Sequence, residues 1–458
     1  MMFTKEIYWQ LQLLMFLDQK DDWCSGTELA NASGLNVNTI QKYLDHLLEI
    51  TNKFPDVCLE KHRNHGVRLI RSVEFPLQRL LSEVIRQGII VTFFEELLLH
   101  GSVDTANFCE VHFISMSTLR RNLDKLEKEL EPLGLSLTKG GTVWLIGSEY
   151  QIRYIFFQYL WTIYRGAKEL PWKIEEQMAY SIEQLSALFN FKFTNVQRSQ
   201  LAVLLFVFEQ RNNFESTNEI LIEPVFEAPS LFNHWRGNNW AMFLFFLSLF
   251  PLFFELSESR ILVKIPSEVT GLVTEQSAKW LQLFEKIFAV SIEGKEAIKQ
   301  QLNQLLLFNY YLTEVHSLTG LFPIVDIEHL KQTVPLYMEF FDEFIKQFLT
   351  QVEVRNPKVT ELFSLLLANT IVPYMSYRPK IKLFLLSDLG FAFEKMQRDL
   401  LNAGLSDDYL VVFVDSEKEA DLVLSNMPIH YSKALQVRST INSRDLRLIR
   451  QVLKKQGL

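Results

Sequence analysis

The sequence predicts a mainly α-helical, multidomain protein: two N-terminal winged helix-turn-helix units, two all-helical blocks, and a small C-terminal α/β domain. Three observations predict it. Residues 25–70 and 103–146 each read as a helix pair followed by a stretch of strand-like alternation. From about Gln151 to Pro379 the apolar residues recur at helical spacing with little Gly or Pro. From Lys380 the pattern changes to short apolar runs alternating with helical stretches. The boundaries that follow are 1–72, 73–167, 168–277, 278–379 and 380–458.

In the first unit Leu29 and Ala30 close a short helix, Gly34 supplies the turn, and Ile40 anchors the next helix. That helix, about Asn38 to Ile50, turns Ile40, Leu44, Leu47 and Leu48 inward. Asn36, Asn38, Thr39, Gln41, Lys42 and Asp45 then face outward near its N-terminus, where a recognition helix presents side chains to base edges. Val57 and Leu59, a polar turn from Lys61 to Gly66, then Val67 and Leu69 predict a hairpin wing. Lys61, Arg63, Arg68 and Arg71 fall in an eleven-residue stretch without an acidic residue, suited to lie along phosphates.

The second unit repeats the design. Ala106 and Phe108 pack a first helix, residues 113–116 form the turn, and Ser117 or Thr118 is expected to cap the next helix. Leu119, Leu123, Leu126 and Leu130 make one apolar stripe, leaving Arg120, Arg121, Asn122 and Lys125 on the other faces. Leu135, Leu137, the Lys139-Gly140-Gly141 turn, Val143 and Leu145 make the second wing. Phe113 stands where the first unit has Gly34, so the two turns must differ. The residues expected to touch DNA are therefore Asn38, Thr39, Gln41, Lys42, Lys61, Arg63, Ser115, Ser117, Thr118, Arg120, Arg121, Lys125 and Lys139.

A formal charge of −8 sits awkwardly with DNA binding, but binding depends on local potential rather than on the sum. Acidic residues interleave with Arg120, Arg121, Lys125 and Lys128, which predicts modest, salt-sensitive affinity per unit and engagement by two units or two protomers. Three cysteines, Cys24, Cys58 and Cys109, argue for a reducing compartment and show no metal-ligand spacing; no cofactor motif is present. No export leader is evident, and the apolar run Trp240 to Phe254 is too short and too interrupted by Pro251 for a membrane span. A cytoplasmic protein with a buried helix at that run is expected.

The order of these parts, and above all the Ser115-to-Arg121 run with its wing, resembles the Mga/AtxA-type transcription regulators of Gram-positive bacteria, several of which control virulence. The resemblance implies double-stranded promoter DNA as ligand, transcription activation, a homodimer or higher oligomer, and helical blocks equivalent to phosphotransferase-system regulatory domains. It further implies histidines phosphorylated by a phosphocarrier protein. Such domains pair His-Leu with a Gly eleven residues after the His. Counting back from Gly320 gives Asn309-Tyr310, so the histidine is replaced. His234, His316 and His329 remain as candidate phosphoacceptors.

In the tail, strands at about 381–386, 409–414, 422–424 and 435–437 alternate with helices at 391–403 and 443–455, giving a mainly parallel sheet with helices on its faces. This is similar to the phosphotransferase IIB component, which carries a cysteine after its first strand. Here the loop is Leu386-Ser387-Asp388-Leu389-Gly390, so thiol phosphotransfer is excluded and an interaction role is expected. Two other classes share parts of this pattern, an RNA-binding antiterminator and a phosphocarrier or phosphotransferase component. The first has a β-rich N-terminal domain in place of winged helices; the second needs the missing cysteine or a histidine with an acid or base partner. No catalytic residue is expected.

Overall fold

An amphipathic helix, α1 (Lys5–Lys20), opens the chain and buries Ile7, Leu11, Leu14 and Leu17. The computed structural model describes residues 4–20, 22–165, 170–214, 222–253, 255–256, 261–314, 325, 327–428 and 434–456. Two compact units divide the chain: Met1–Ser277 with Glu296–Pro323 and Val354–Asn356, and Ala278–Lys295 with Ile324–Glu353 and Pro357–Leu458.

After α1 come α2 (Gly26–Ser33), α3 (Val37–Thr51), and the antiparallel strands β1 (Val57–His62) and β2 (Gly66–Arg71). A capping box between Ser25 and Glu28 starts α2, and Asn36 caps α3 by accepting from the Thr39 amide. Gly34, at φ 69°, ends α2 in the left-handed conformation that lets the chain turn sharply into α3. The wing gains a third edge where Cys24 bridges Val67. Gly66 is fixed by that approach, since a Cβ there would lie 2.0 Å from the Cys24 carbonyl oxygen. α1 packs on α2, α3 and β2, so this unit begins well before the helix pair itself.

Two connecting helices, α4 (Leu77–Arg86) and α5 (Ile89–His100), lead to β3 (Ser102–Asp104), α6 (Thr105–Val111), α7 (Met116–Leu130), β4 (Ser136–Leu137) and β5 (Thr142–Ile146). The second wing is three-stranded, in the order β3-β5-β4, because Val103 pairs with Val143 across β5. The next helix, α8 (Glu149–Tyr164), is buried on nearly every side. It packs against α4 and against α10 (Asn195–Gln210), which follows α9 (Ile174–Phe189). The apolar run from Trp240 becomes α11 (Asn239–Leu249), a helix buried all round, and no helix among the described residues is long and apolar enough to cross a membrane. One continuous hydrophobic core joins these elements, from Ile7 through Val263 to Leu312.

Helices Ser267–Phe288, Lys295–Tyr311, Ile327–Thr333, Pro335–Gln351 and Pro357–Ile371 follow. Within the second compact unit Trp280 stacks on Phe284 at 5.1 Å and donates through its indole N–H to Ser364 Oγ at 3.0 Å. The tail forms a four-stranded parallel sheet of β8 (Lys380–Leu386), β9 (Leu410–Phe413), β10 (Leu422–Ser425) and β11 (Ala434–Gln436), ordered β11-β10-β8-β9. Helices on both faces were expected. Instead the helices Phe391–Leu405 and Ser443–Lys455 pack on one face, against Ile381, Leu383, Leu385, Leu422 and Leu424. Between β9 and β10 only a short 3₁₀ turn, Glu417–Glu419, crosses over, and the other face carries the small cluster Val414, Ala420 and Val423.

Candidate nucleic-acid interface

In the first winged unit Asn38, Gln41, Lys42 and Asp45 are exposed on α3, and Thr39 is half-buried beside its cap. Acidic partners, most of them distant in sequence, neutralise the basic groups. Lys42 faces Glu6 on α1 at 3.6 Å, and Lys61 on the wing pairs with Asp45 on α3. Arg68 bonds Glu60 at 2.8 Å while its guanidinium lies 4.6 Å over the Trp23 ring, and Arg71 reaches Asp18 at 2.5 Å. The Lys61 ammonium, bonded to Asp45, holds that carboxyl below its ordinary range. The stretch that looked purely basic in sequence is thus largely compensated in space. Arg63, exposed at the wing turn, keeps no ion pair among the described residues.

The second unit is held by different contacts. Asp104 caps α6 through the Asn107 amide, and Thr105 ties that helix to the wing, its hydroxyl donating to the Gly141 carbonyl at 2.9 Å. Phe108 is buried edge-on to Phe93 at 5.0 Å, and the His112 ring lies 4.3 Å from it with Nε2 3.0 Å from Glu96. Ser115, not Ser117 or Thr118, is the N-cap: its hydroxyl accepts from the Thr118 amide at 3.1 Å. The Ser117 and Thr118 hydroxyls lie 2.8 and 2.9 Å from the same oxygen, so all three cluster at the positive end of the helix. Leu119, Leu126 and Leu130 are buried as expected, but Leu123 is only partly so. Asn122, expected on an outer face, is 8% exposed and turned inward.

Arg120, Arg121 and Lys125 are exposed on α7, and Lys139 is exposed at the wing turn. None of the four pairs with a carboxylate among the described residues. The outer face of the wing also shows Trp144 and Ile146, 45% and 49% exposed, and the helix turn shows Phe113, 95% exposed with φ 53°. Sequence reading noted Phe113 only as a turn anomaly.

Residues 73–160 match the family model described as the Mga helix-turn-helix domain. The chain carries an Mga helix-turn-helix domain. Over 188 residues it is 26% identical to a Streptococcus pneumoniae serotype 4 protein named "Putative trans-acting regulator". That match covers 40% of this chain, which spans 36% of the relative's length.

The matched Mga segment takes in α4 and α5 and most of α8, so the domain is more than its helix pair and wing. Its last helix holds a buried charge cluster. Glu149 accepts from Arg153 Nε at 3.2 Å and from both Nε and Nη2 of Arg211 on the α10 side. Arg153 also donates to the Arg211 and Phe214 carbonyls, and burial pushes its guanidinium down to about 10. In the same turn Gln151 bonds both the amide and carbonyl of Thr313, and further along α8 Gln158 reaches Glu314 at 3.4 Å. Burial raises the Glu314 carboxyl to about 7.

Outside the Mga domain the candidate phosphoacceptors are scattered. His234 is exposed, with Nε2 2.8 Å from Glu209 and Nδ1 2.9 Å from the Leu231 carbonyl, so both ring nitrogens are engaged. The Glu209 bond raises its pKa. His329 is exposed on the helix Ile327–Thr333, with Nε2 3.4 Å from the Thr333 hydroxyl. His316 lies outside the described residues. Asn309 is 3% exposed; it donates to the Leu305 carbonyl and accepts from the Asn356 amide at 3.0 Å. In the tail, Asp388 accepts from Asn426 at 2.6 Å, and Gly390 at φ 81° leads into the following helix. No group of three or more His, Cys, Asp or Glu side chains suited to a metal occurs among the described residues.

Proposed function

We propose that this chain is a DNA-binding transcriptional regulator of the Mga type that acts on promoter duplexes as a homodimer or higher oligomer. The observation that carries the proposal is the recognition helix of the Mga domain. It presents Arg120, Arg121 and Lys125 without carboxylate partners among the described residues, next to a hydroxyl-capped N-terminus. On this reading Ser115, Ser117, Thr118, Arg120, Arg121, Lys125 and Lys139 form the principal contact. Asn38, Thr39, Gln41, Lys42, Lys61 and Arg63 of the first unit form a secondary one, because salt bridges within the unit screen most of its cations.

The helical blocks and the tail are assigned to regulation rather than catalysis. The resemblance of the blocks to phosphotransferase-system regulatory domains motivates a phosphocarrier as partner, with His234, His316 and His329 as acceptors. The buried, fully bonded Asn309 favours control through assembly over phosphate at that position. An activating role in the cytoplasm completes the reading.

Retardation of duplex DNA against a matched RNA hairpin, titrated with salt, tests the central claim. The duplex is expected to be held more tightly, with affinity falling steeply as salt rises. Retention of the RNA alone would make the chain an antiterminator instead. Incubation with the phosphorelay and labelled phosphoenolpyruvate tests the histidines; absence of label on all three leaves assembly as the control.

A further inference from the structure

We propose that Phe113 is a DNA-contacting residue: an aromatic side chain held out of the helix turn to lie against the sugar and base edges bordering the groove that receives α7. The proposal rests on the Mga domain being the DNA-binding element, and it adds a residue that no charge pattern marks.

Two observations remove the ordinary reasons for a phenylalanine here. Its backbone sits at φ 53°, a left-handed conformation that any Cβ disfavours and a bulky side chain disfavours strongly. The first unit meets the same need, a turn between paired helices, with Gly34 at φ 69°. The ring itself is 95% exposed and so contributes nothing to the core. The residue therefore stabilises neither the turn nor the packing, and what remains is a contact outside the chain.

The setting indicates which contact. The turn is rigid: the Phe113 amide donates to Glu110, the Ile114 amide donates to the Cys109 carbonyl at 3.1 Å, and Ile114 packs against the core. Phe113 stands two residues before the Ser115 cap, beside the positive end of α7. From Val111 to Leu123 the chain has no acidic residue, while Arg120 and Arg121 on the helix that follows pair with no carboxylate among the described residues. An apolar ring two residues before the cap of a helix that presents Arg120 and Arg121 matches a polyanion that also offers apolar edges. Duplex DNA does so with its sugars and thymine methyl groups. Val111, 56% exposed at the end of α6, extends the apolar contact. Because the turn backbone is already fixed, little backbone freedom is lost on binding.

The test uses the full chain and a duplex that the wild type selects from a random 30-base-pair library. Phe113→Gly is expected to weaken binding of that duplex about tenfold. Its thermal midpoint should be no lower than wild type, since glycine relieves the backbone. The slope of log affinity against log salt should not change, whereas Arg121→Ala lowers that slope by about one. Phe113→Tyr should bind as wild type. Phe113→Asn, which also tolerates the left-handed region, is carried in parallel, and the result is read from it if the glycine variant loses helix content. Wild-type affinity in the folded variant overturns the proposal. So does a loss of affinity that accompanies a fall in sedimentation mass, which would assign the ring to self-association. If the wild type selects no duplex at all, the reading of the domain itself fails before any variant is compared.

Discussion

In the first winged unit Lys42, Lys61, Arg68 and Arg71 each face a carboxylate, whereas Arg120, Arg121, Lys125 and Lys139 of the second face none among the described residues. The folds are alike, so the contrast lies in where the acids stand. The first unit draws Glu6 and Asp18 from α1 and Asp45 from its own recognition helix to the surface that bears the cations. The second withdraws Glu149 into the protein, where it meets two buried guanidiniums. Exposed pairs such as Lys42–Glu6 add only about 0–1 kcal/mol to stability, but they cancel local potential, the quantity a polyanion reads. Two copies of one motif can thus differ as ligand-binding surfaces through charges contributed by neighbouring elements.

The largest test of this contrast is Glu149→Ala. It leaves Arg153 and Arg211 buried without their carboxylate and should cost about 3–5 kcal/mol, read as a fall in the urea midpoint. A loss below about 1 kcal/mol would mean that the cluster is not what fastens α8. Next, Arg120→Ala with Arg121→Ala should weaken duplex binding by about 1–3 kcal/mol per residue. The matched pair Lys42→Ala with Lys61→Ala should lose clearly less, and equal losses in the two doubles would erase the distinction between the units.

Glu314, bonded to α8 through the Gln158 amide and paired with no cation among the described residues, is the counterpart to Glu149 of that helix. Its folded pKa, about 7, lies above its ordinary 4.5, so the protonated form is favoured in the folded state and stability is lost as pH rises through that window. Glu314→Gln should therefore raise stability at pH 8 by about 1–2 kcal/mol, below the roughly 3 kcal/mol upper bound because the site is partly solvated, and change little near pH 4. A thermal midpoint with the same gain at both pH values would contradict it. The smallest effect is expected from Asp45→Asn, which frees Lys61 and should tighten duplex binding by no more than a few-fold at low salt. Unchanged affinity would mean that the first wing does not approach the duplex.

The two helix-turn-helix patterns, the buried helix α11 and the strands of the tail were legible in the sequence because each rests on local periodicity. What local pattern cannot show is which distant acid reaches a cation. Asp18 lies 53 positions from Arg71, and nothing near Arg71 hints at the bond. The run Ser115-Met116-Ser117-Thr118 offers three hydroxyls for one cap, and only the turn geometry selects Ser115. Asn122 looked exposed because the leucine stripe defines the buried face narrowly, while the packed face of α7 is wider than its leucines. The one-faced tail was hidden because a connection too short for a helix, Glu417–Glu419, resembles any other polar link.

α8 begins three residues after the second wing ends, and its 16 residues span about 24 Å. Its first turn is bonded to Arg211 and Thr313, and its third turn to Glu314. A helix fastened at both ends and buried along its length has no slack in which to absorb displacement. A displacement of the segments around Arg211 or Thr313 is therefore expected at the second wing, which ends three residues before this helix begins.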